Sequence, residues 1–237
     1  MNDHYTIFPL GDSASTIELG KGMNAELNKK ILAMQKWFGK NSFNGLKDTI
    51  VAYSSLTVIY DPNIVRKNHA IEESVFCWIK KKLELAYRQS PIDDNQEHSM
   101  LRIPVCYDEE FGIDLQEVSR STNLSAEEII ELHISKTYRV YMLGFLPGFA
   151  YLGEIEPRLI MPRKVTPVFV QAGSVGIVSN QTGIYPMNSP GGWQIIGKTS
   201  IKLFEAGDQP PVKIKAGDEV QFYRITREEF DLEKCKK

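Results

Sequence analysis

Residues 189–204 read SPGGWQIIGKTSIKLF, and two incompatible folds compete for them. Gly192 to Thr199 spells G-x-x-x-x-G-K-T, the pattern of a phosphate-gripping loop. Such a loop follows a buried strand and opens a helix, so that backbone N–H groups and the helix N-terminus face the phosphates. Neither flank complies. Upstream, YPMNSPGG carries two prolines and two glycines, which break a strand ladder and make a turn. Downstream, TSIKLF alternates apolar and polar residues at strand period. The interior WQII is bulky and β-prone where a phosphate needs bare backbone. The stretch therefore reads as a β-hairpin. Pro190-Gly191-Gly192 form the turn, Trp193 to Ile196 run along a strand, Gly197 marks a bulge or close approach, and TSIKLF is a further strand.

The surroundings share this texture. From Thr137 onward almost every segment is a short apolar run punctuated by glycine or proline: YRVYMLGF, VFVQAGSVGIVS, WQIIGKTSIKLF, EVQFYRIT. That spacing predicts a closed or nearly closed β-barrel. Ahead of it lie the strand MLRIPVCY and two short helices, near Leu115 to Ser121 and from Ala126 to about His133. Ser125 and Glu128 form the capping box of the second helix. His133 reads as a donor to the carbonyls at its end, and Asp108, Glu109 and Glu110 as a solvated loop.

The N-terminal part alternates strands and helices. HYTIFPLGDSASTIEL is strand, turn, strand. MNAELNKKILAMQKWFGK is a helix with Leu27, Ile31, Met34 and Phe38 inward, closed by Gly39. LKDTIVAYSSLTVIYD supplies two strands stopped by Asp61-Pro62. A second helix spans Asn68 to Arg88, with Val75, Ile79, Leu83 and Ala86 inward. The expected class is α+β: a ferredoxin-like α/β sandwich over residues 1–90, a linker at 91–99 within SPIDDNQEHS, a β-barrel domain at 100–231 and a polar tail at 232–237.

Composition excludes more than it selects. The 237 residues carry 28 basic and 30 acidic side chains, so no cationic surplus points to nucleic acid or an anionic membrane. The first residues lack a signal-peptide pattern. The longest apolar run, VYMLGFLPGFAYLG, is too short and too broken to span a bilayer. Cys77, Cys106 and Cys235 show no metal spacing and suit free thiols in a reducing cytoplasm. The four histidines lack ligand spacing, so no metal site is expected.

Long motifs carry a family resemblance. GFLPGFAYLG (144–153), MPRKVTP (161–167), AGSVGIVSNQTGIYPMNSPGGWQIIGKT (172–199) and KAGDEVQF (215–222) together resemble the family of 5-oxoprolinase B-type subunits (PxpB). This family includes the kinase inhibitor KipI and was long labelled allophanate hydrolase subunit 1. CYDEEFGIDL (106–115) and His133 also fit its pattern. The resemblance implies a cyclophilin-like barrel as the C-terminal domain. It further implies a non-autonomous component of an ATP-dependent enzyme that opens 5-oxoproline to L-glutamate with A- and C-type partner subunits. ATP, consumed by the complex and not bound as a cofactor by this chain, would activate the lactam oxygen by phosphorylation. Two variants share the scaffold: a KipI-like inhibitor docking on a sensor histidine kinase, and a carboxyltransferase-like component of urea breakdown. The chain departs from the family pattern at three places. Val168 and Gln171 stand for an arginine and a proline, Val178 and Ser179 for an alanine and a glycine, and Glu154 for a glycine.

Within the matched run, Arg163 offers a planar fork for a carboxylate. Tyr151, Tyr185 and Trp193 offer flat faces with polar tips, and Gln181, Thr182, Asn188 and Gln194 offer neutral donors and acceptors. Glycines would let a ligand's polar edge meet bare backbone. Together these suit a small, flat, amide-containing acid such as 5-oxoproline. No activated nucleophile is visible, which fits a chain that completes a site with other chains. The loops around Phe145, Pro147, Phe149, Tyr185, Pro186 and Trp193 are the expected partner surface.

Overall fold

The computed structural model describes residues 5–92 and 99–235. The chain divides into two compact units, residues 1–97 and 98–237. Most of the expected linker, residues 93–98, lies outside the described residues, as do residues 1–4 and 236–237.

In the first unit, β1 (Thr6–Pro9) and β2 (Ala14–Glu18) form a hairpin, and α1 (Ala25–Lys40) follows. A second hairpin, β3 (Leu46–Val51) and β4 (Ser55–Tyr60), precedes α2 (Pro62–Asn68) and α3 (Val75–Gln89). The sheet order is β1-β2-β4-β3, antiparallel throughout. Alternation puts Ile17, Leu56, Val58 and Tyr60 on one face, where Ile31, Met34 and Phe38 of α1 and Ile79, Leu83 and Ala86 of α3 close the core. The elements run β-β-α-β-β-α-α, whereas a ferredoxin-like sandwich runs β-α-β-β-α-β.

Two helix boundaries differ from expectation. The helix expected from Asn68 starts only at Val75, and a separate helix, α2, ends at Asn68. Asp61 does more than stop a strand: its carboxylate accepts from Asn63 and Ile64 N–H and caps α2, with Pro62 in the first turn. Ser74 then caps α3. Gly39 does not close α1, which continues to Lys40 before Asn41.

The second unit opens with β5 (Met100–Val105), α4 (Leu115–Thr122) and α5 (Ala126–Ile134), the last with both hydrogen bonds of its capping box. Then come β6 (Thr137–Leu143), β7 (Ala150–Gly153), β8 (Val168–Val170), β9 (Ser174–Val178), β10 (Gln181–Ile184), β11 (Ser189–Gly191), β12 (Gln194–Lys198), β13 (Glu219–Arg224) and α6 (Arg227–Cys235). Residues 232–235 are thus helical and not a tail. Seven strands form one sheet in the order β12-β9-β10-β7-β6-β13-β5, with β13 and β5 parallel. Its two edges meet. Cys106, just past β5, exchanges both backbone hydrogen bonds with Lys198 at the end of β12, at 2.8 and 2.9 Å. This single bridge makes the sheet a nearly closed barrel. Ile103, Tyr138, Leu152, Ile177, Ile196 and Phe222 fill its core together with side chains of α4 and α5.

The opening stretch now has its structure. Gly197 sits at a bulge of β12, where an added Cβ would lie 2.7 Å from Val105 Cγ1 and 2.9 Å from the Cys106 carbonyl. It is glycine because the seam closes against it. The lysine after it belongs to a strand and opens no helix, so the phosphate-loop pattern is accidental. Two expectations for this stretch fail. Ser189–Gly191 is not a hairpin turn but strand β11, paired with β8 in a separate two-stranded ladder; Pro190 is tolerated there because an edge strand need not donate at every residue. Residues 199–203 are not a strand. Thr199 N–H donates to Gly173, and its Oγ1 accepts from Ile201 N–H, which folds the chain out of the sheet.

Candidate functional site

The barrel face formed by β7, β10 and β12 carries an aromatic cluster. Phe149 is its hub, with ring centroids 5.1 Å from Tyr185, 5.3 Å from Trp193 and 4.9 Å from Tyr151. Tyr151 stands 5.8 Å from Trp193. Most of these contacts are edge-on, the favoured geometry of interlocking rings. Phe149, Tyr185 and Trp193 are buried, and Tyr151 is half-buried.

Bare backbone in the SPGG segment holds the cluster in place. A Cβ on Gly191 would fall 2.5 Å from the Tyr185 hydroxyl oxygen, and one on Gly192 would fall 2.7 Å from Arg163 Nε. The glycines expected to receive a ligand's polar edge are thus covered by the protein's own Tyr185 and Arg163. Arg163 itself is exposed, with its stem laid over Gly192 and its charge felt by both tyrosines. Burial raises the Tyr185 hydroxyl pKa, opposed by a hydrogen bond with the Trp193 backbone and by Arg163. Burial likewise raises that of Tyr151, again opposed by Arg163. The result is one guanidinium beside two neutral phenols at the edge of an aromatic floor. That arrangement suits a small anion with a flat body.

Arg163, Tyr151, Tyr185 and Trp193 are therefore brought together. The other expected ligand groups are not. Thr182 is fully buried on the opposite face of β10, in the barrel core. Gln194 is buried and donates to the Pro162 carbonyl. Asn188 is exposed but accepts from Ala172 N–H, and Gln181 lies at the far end of β10 from Tyr185. The partner surface also needs correction. Phe149 and Tyr185 are each 1% exposed and Trp193 is buried, because the three pack against one another. Phe145, at 61% exposure, and Pro147 do face solvent, and Pro186 is half-buried.

His133 is not a cap. Its ring is fully buried, with Nδ1 2.7 Å from the Tyr107 hydroxyl and Nε2 2.9 Å from Thr182 Oγ1. Thr182 donates its only proton to the Gly176 carbonyl. Nε2 must therefore carry the ring proton, and Nδ1 accepts from Tyr107. Burial lowers the His133 pKa to about 3 and pushes that of Tyr107 well up, so both stay neutral. The chain of hydrogen bonds ties α5 to β10 and, through Tyr107, to the segment after β5.

One pair escaped the sequence reading entirely. Asp114, before α4, accepts through Oδ2 from Lys164 Nζ at 2.5 Å and from Ile195 N–H at 2.7 Å. It looks like a helix cap but makes no capping bond. Its partners lie 50 and 81 residues away, so no local spacing could reveal them. The pair clamps the segment carrying Arg163 to the barrel.

Comparison with known proteins decides the family. Residues 5–214 match the carboxyltransferase domain, subdomain C and D. The chain is 42% identical to the B-type subunit of 5-oxoprolinase from Bacillus subtilis over 97% of each chain. It is 35% identical to that of Haemophilus influenzae, covering 91% of this chain and 96% of the relative. The chain belongs to the family of 5-oxoprolinase B-type subunits. Among solved structures, TTHA0988 superposes with a TM-score of 0.76 at 33% identity, over 90% of this chain but 39% of its own length. The family fold thus occurs inside a longer chain as well as alone. Of the departures from the family pattern, Val168 is exposed on β8, Glu154 is exposed, and Gln171 accepts a hydrogen bond from Lys198. Among the described residues, no group of three His, Cys, Asp or Glu could hold a metal, and no helix is long and apolar enough to cross a membrane.

Proposed function

We propose that this chain is the B-type component of an ATP-dependent 5-oxoprolinase. In this reading it is a cytoplasmic protein, inactive alone, that works with A- and C-type subunits to open 5-oxoproline to L-glutamate. The observation that carries the reading is the 42% identity to a 5-oxoprolinase component of the same type across 97% of both chains. The finer fold assignment belongs to the same proposal: residues 1–90 are a ferredoxin-like sandwich whose outer strand comes from the N-terminal side, and residues 100–231 are a cyclophilin-like barrel.

The site geometry supports a binding role over a chemical one. Arg163 would take the substrate carboxylate, while Tyr151 offers its ring to the flat lactam. A lactam amide is a poor electrophile, and nothing described in the cluster could activate it: both phenols are held neutral and no base stands beside them. ATP and a partner's groups would supply that activation. The partner would dock on the exposed Phe145 and Pro147 loop. The test is reconstitution, with glutamate release measured for the chain alone, with each partner, and with both. Turnover only from the three-component mixture upholds the reading. Robust turnover by the isolated chain overturns it. So does an inert stoichiometric mixture, which would direct attention to inhibition of a histidine kinase.

A further inference from the structure

Lys198, the lysine of the accidental motif, has an environment of its own. It ends β12 at the barrel seam, and its ammonium enters a cleft of about 150 Å³ lined by Glu110, Phe111, Ile113, Phe169, Gln171 and Ser174, among others. Among the described residues no carboxylate lies within ion-pair distance of Nζ. Its hydrogen-bond partner is a neutral amide oxygen, Gln171 Oε1, at 2.5 Å. The one carboxylate in the lining, Glu110, is held by Arg227, whose Nε is in turn bonded to Asp231. Lys198 and Arg227 both lie over the Phe111 ring, with centroid distances of 5.5 and 4.7 Å. Phe169, 66% exposed, forms another part of the wall. A cation drawn from water without a carboxylate partner lacks charge compensation. Burial and then Lys234 disfavour its charged form most, Glu110 pulls the other way, and Arg227 adds a smaller opposing push. An incoming anion would supply the missing compensation.

We propose that this cleft is a binding site for a small monocarboxylate carrying one flat ring. The carboxylate would displace Gln171 from Lys198, and the ring would lodge between Phe111 and Phe169. The volume decides the size class: ordinary ligand pockets run from about 300 to 1,000 Å³, so the cleft takes a single ring and has no room for a nucleoside triphosphate. The site is separate from the Arg163 cluster, and the claim concerns the isolated chain, so it stands whether or not the complex turns over 5-oxoproline.

Benzoate is the probe, titrated into the 15N-labelled chain, with inorganic phosphate as a ringless comparison. Amide shifts at Gln171, Ser174, Ile195 and Lys198 should saturate with a dissociation constant on the order of 1 mM. Lys198→Met should weaken binding roughly tenfold or more, Lys198→Arg should hold it within about threefold, and phosphate should bind roughly tenfold more weakly. Phe169→Ala, at an exposed ring, should also weaken benzoate and keeps the test standing if Lys198→Met does not fold. Shifts that fail to saturate or fall elsewhere overturn the proposal. So does undiminished binding by a folded Lys198→Met, or phosphate binding as tightly as benzoate.

Discussion

The Tyr107 hydroxyl donates to Nδ1 of His133 at 2.7 Å, with both side chains sealed in the barrel core. The neutral imidazole is what the fold requires, and this has a measurable pH signature. Folding moves the His133 pKa from 6.5 down to about 3. Its contribution to stability is complete above about pH 6.5 and is lost as pH falls from there toward 3, because only the unfolded chain takes up the proton. The slope should be about 1.4 kcal/mol per pH unit in that window. Urea unfolding at pH 7.5 and 5.0 measures it. His133→Leu should lose this slope and be about 2–4 kcal/mol less stable at pH 7.5, since Tyr107 then lacks an acceptor. An unchanged slope in that variant would show that other groups carry the acid sensitivity.

Gly197 distinguishes a seam from a nucleotide loop. Gly197→Ala should lower stability by about 1–3 kcal/mol, as its Cβ meets Val105 and the Cys106 carbonyl. The midpoint of denaturant unfolding reads this directly. A variant of wild-type stability that loses only nucleotide binding would reverse the assignment.

Asp114 holds two donors, and its two partners are unequal. Asp114→Ala leaves the Lys164 charge and the Ile195 N–H unpaired in a setting where both charged side chains are about one-sixth exposed, at 16% and 17%. It should cost about 2–4 kcal/mol. Lys164→Met should cost less, because Asp114 keeps the Ile195 bond. A double-mutant cycle should return a coupling of about 1–2 kcal/mol. Additive losses would show that the pair contributes no coupling.

Arg163→Ala tests the ligand cluster. The side chain is exposed and, among the described residues, its guanidinium forms no ion pair, so the melting temperature should move by no more than about 2 °C. In the reconstituted complex KM for 5-oxoproline should rise roughly tenfold or more, with Arg163→Lys between the two. A large drop in melting temperature with KM intact would make the residue structural.

Periodicity made the barrel, the α1 core face and the inward face of α3 legible, because a buried stripe must repeat with its element. Short-range chemistry was legible too, as the Ser125 and Glu128 capping box shows. Asp61-Pro62 was read in half, because the pair ends β4 as expected and also starts α2. The candidate site was legible in residue type but not in facing. Thr182 and Tyr151 lie on neighbouring strands, one register step apart across β10 and β7, yet Thr182 serves the core and Tyr151 the outer floor. The Asp114 and Lys164 clamp was hidden because its ends lie 50 residues apart.

The parallel pairing of β5 with β13 has a consequence for how the molecule is made. Met100 to Val105 find their ladder partners only in Glu219 to Arg224. A strand made early in this unit must wait for the last strand before it can pair. Contacts so distant along the chain slow folding and prolong the life of open edges. During synthesis the unit cannot zip up until its final strand has left the ribosome. A nascent chain halted before Glu219, though it would contain all of the 5–214 family match, would leave one flank of β6 and the whole of β5 open to pairing with a neighbouring chain. Expression of such a fragment should yield inclusion bodies in place of a smaller soluble barrel.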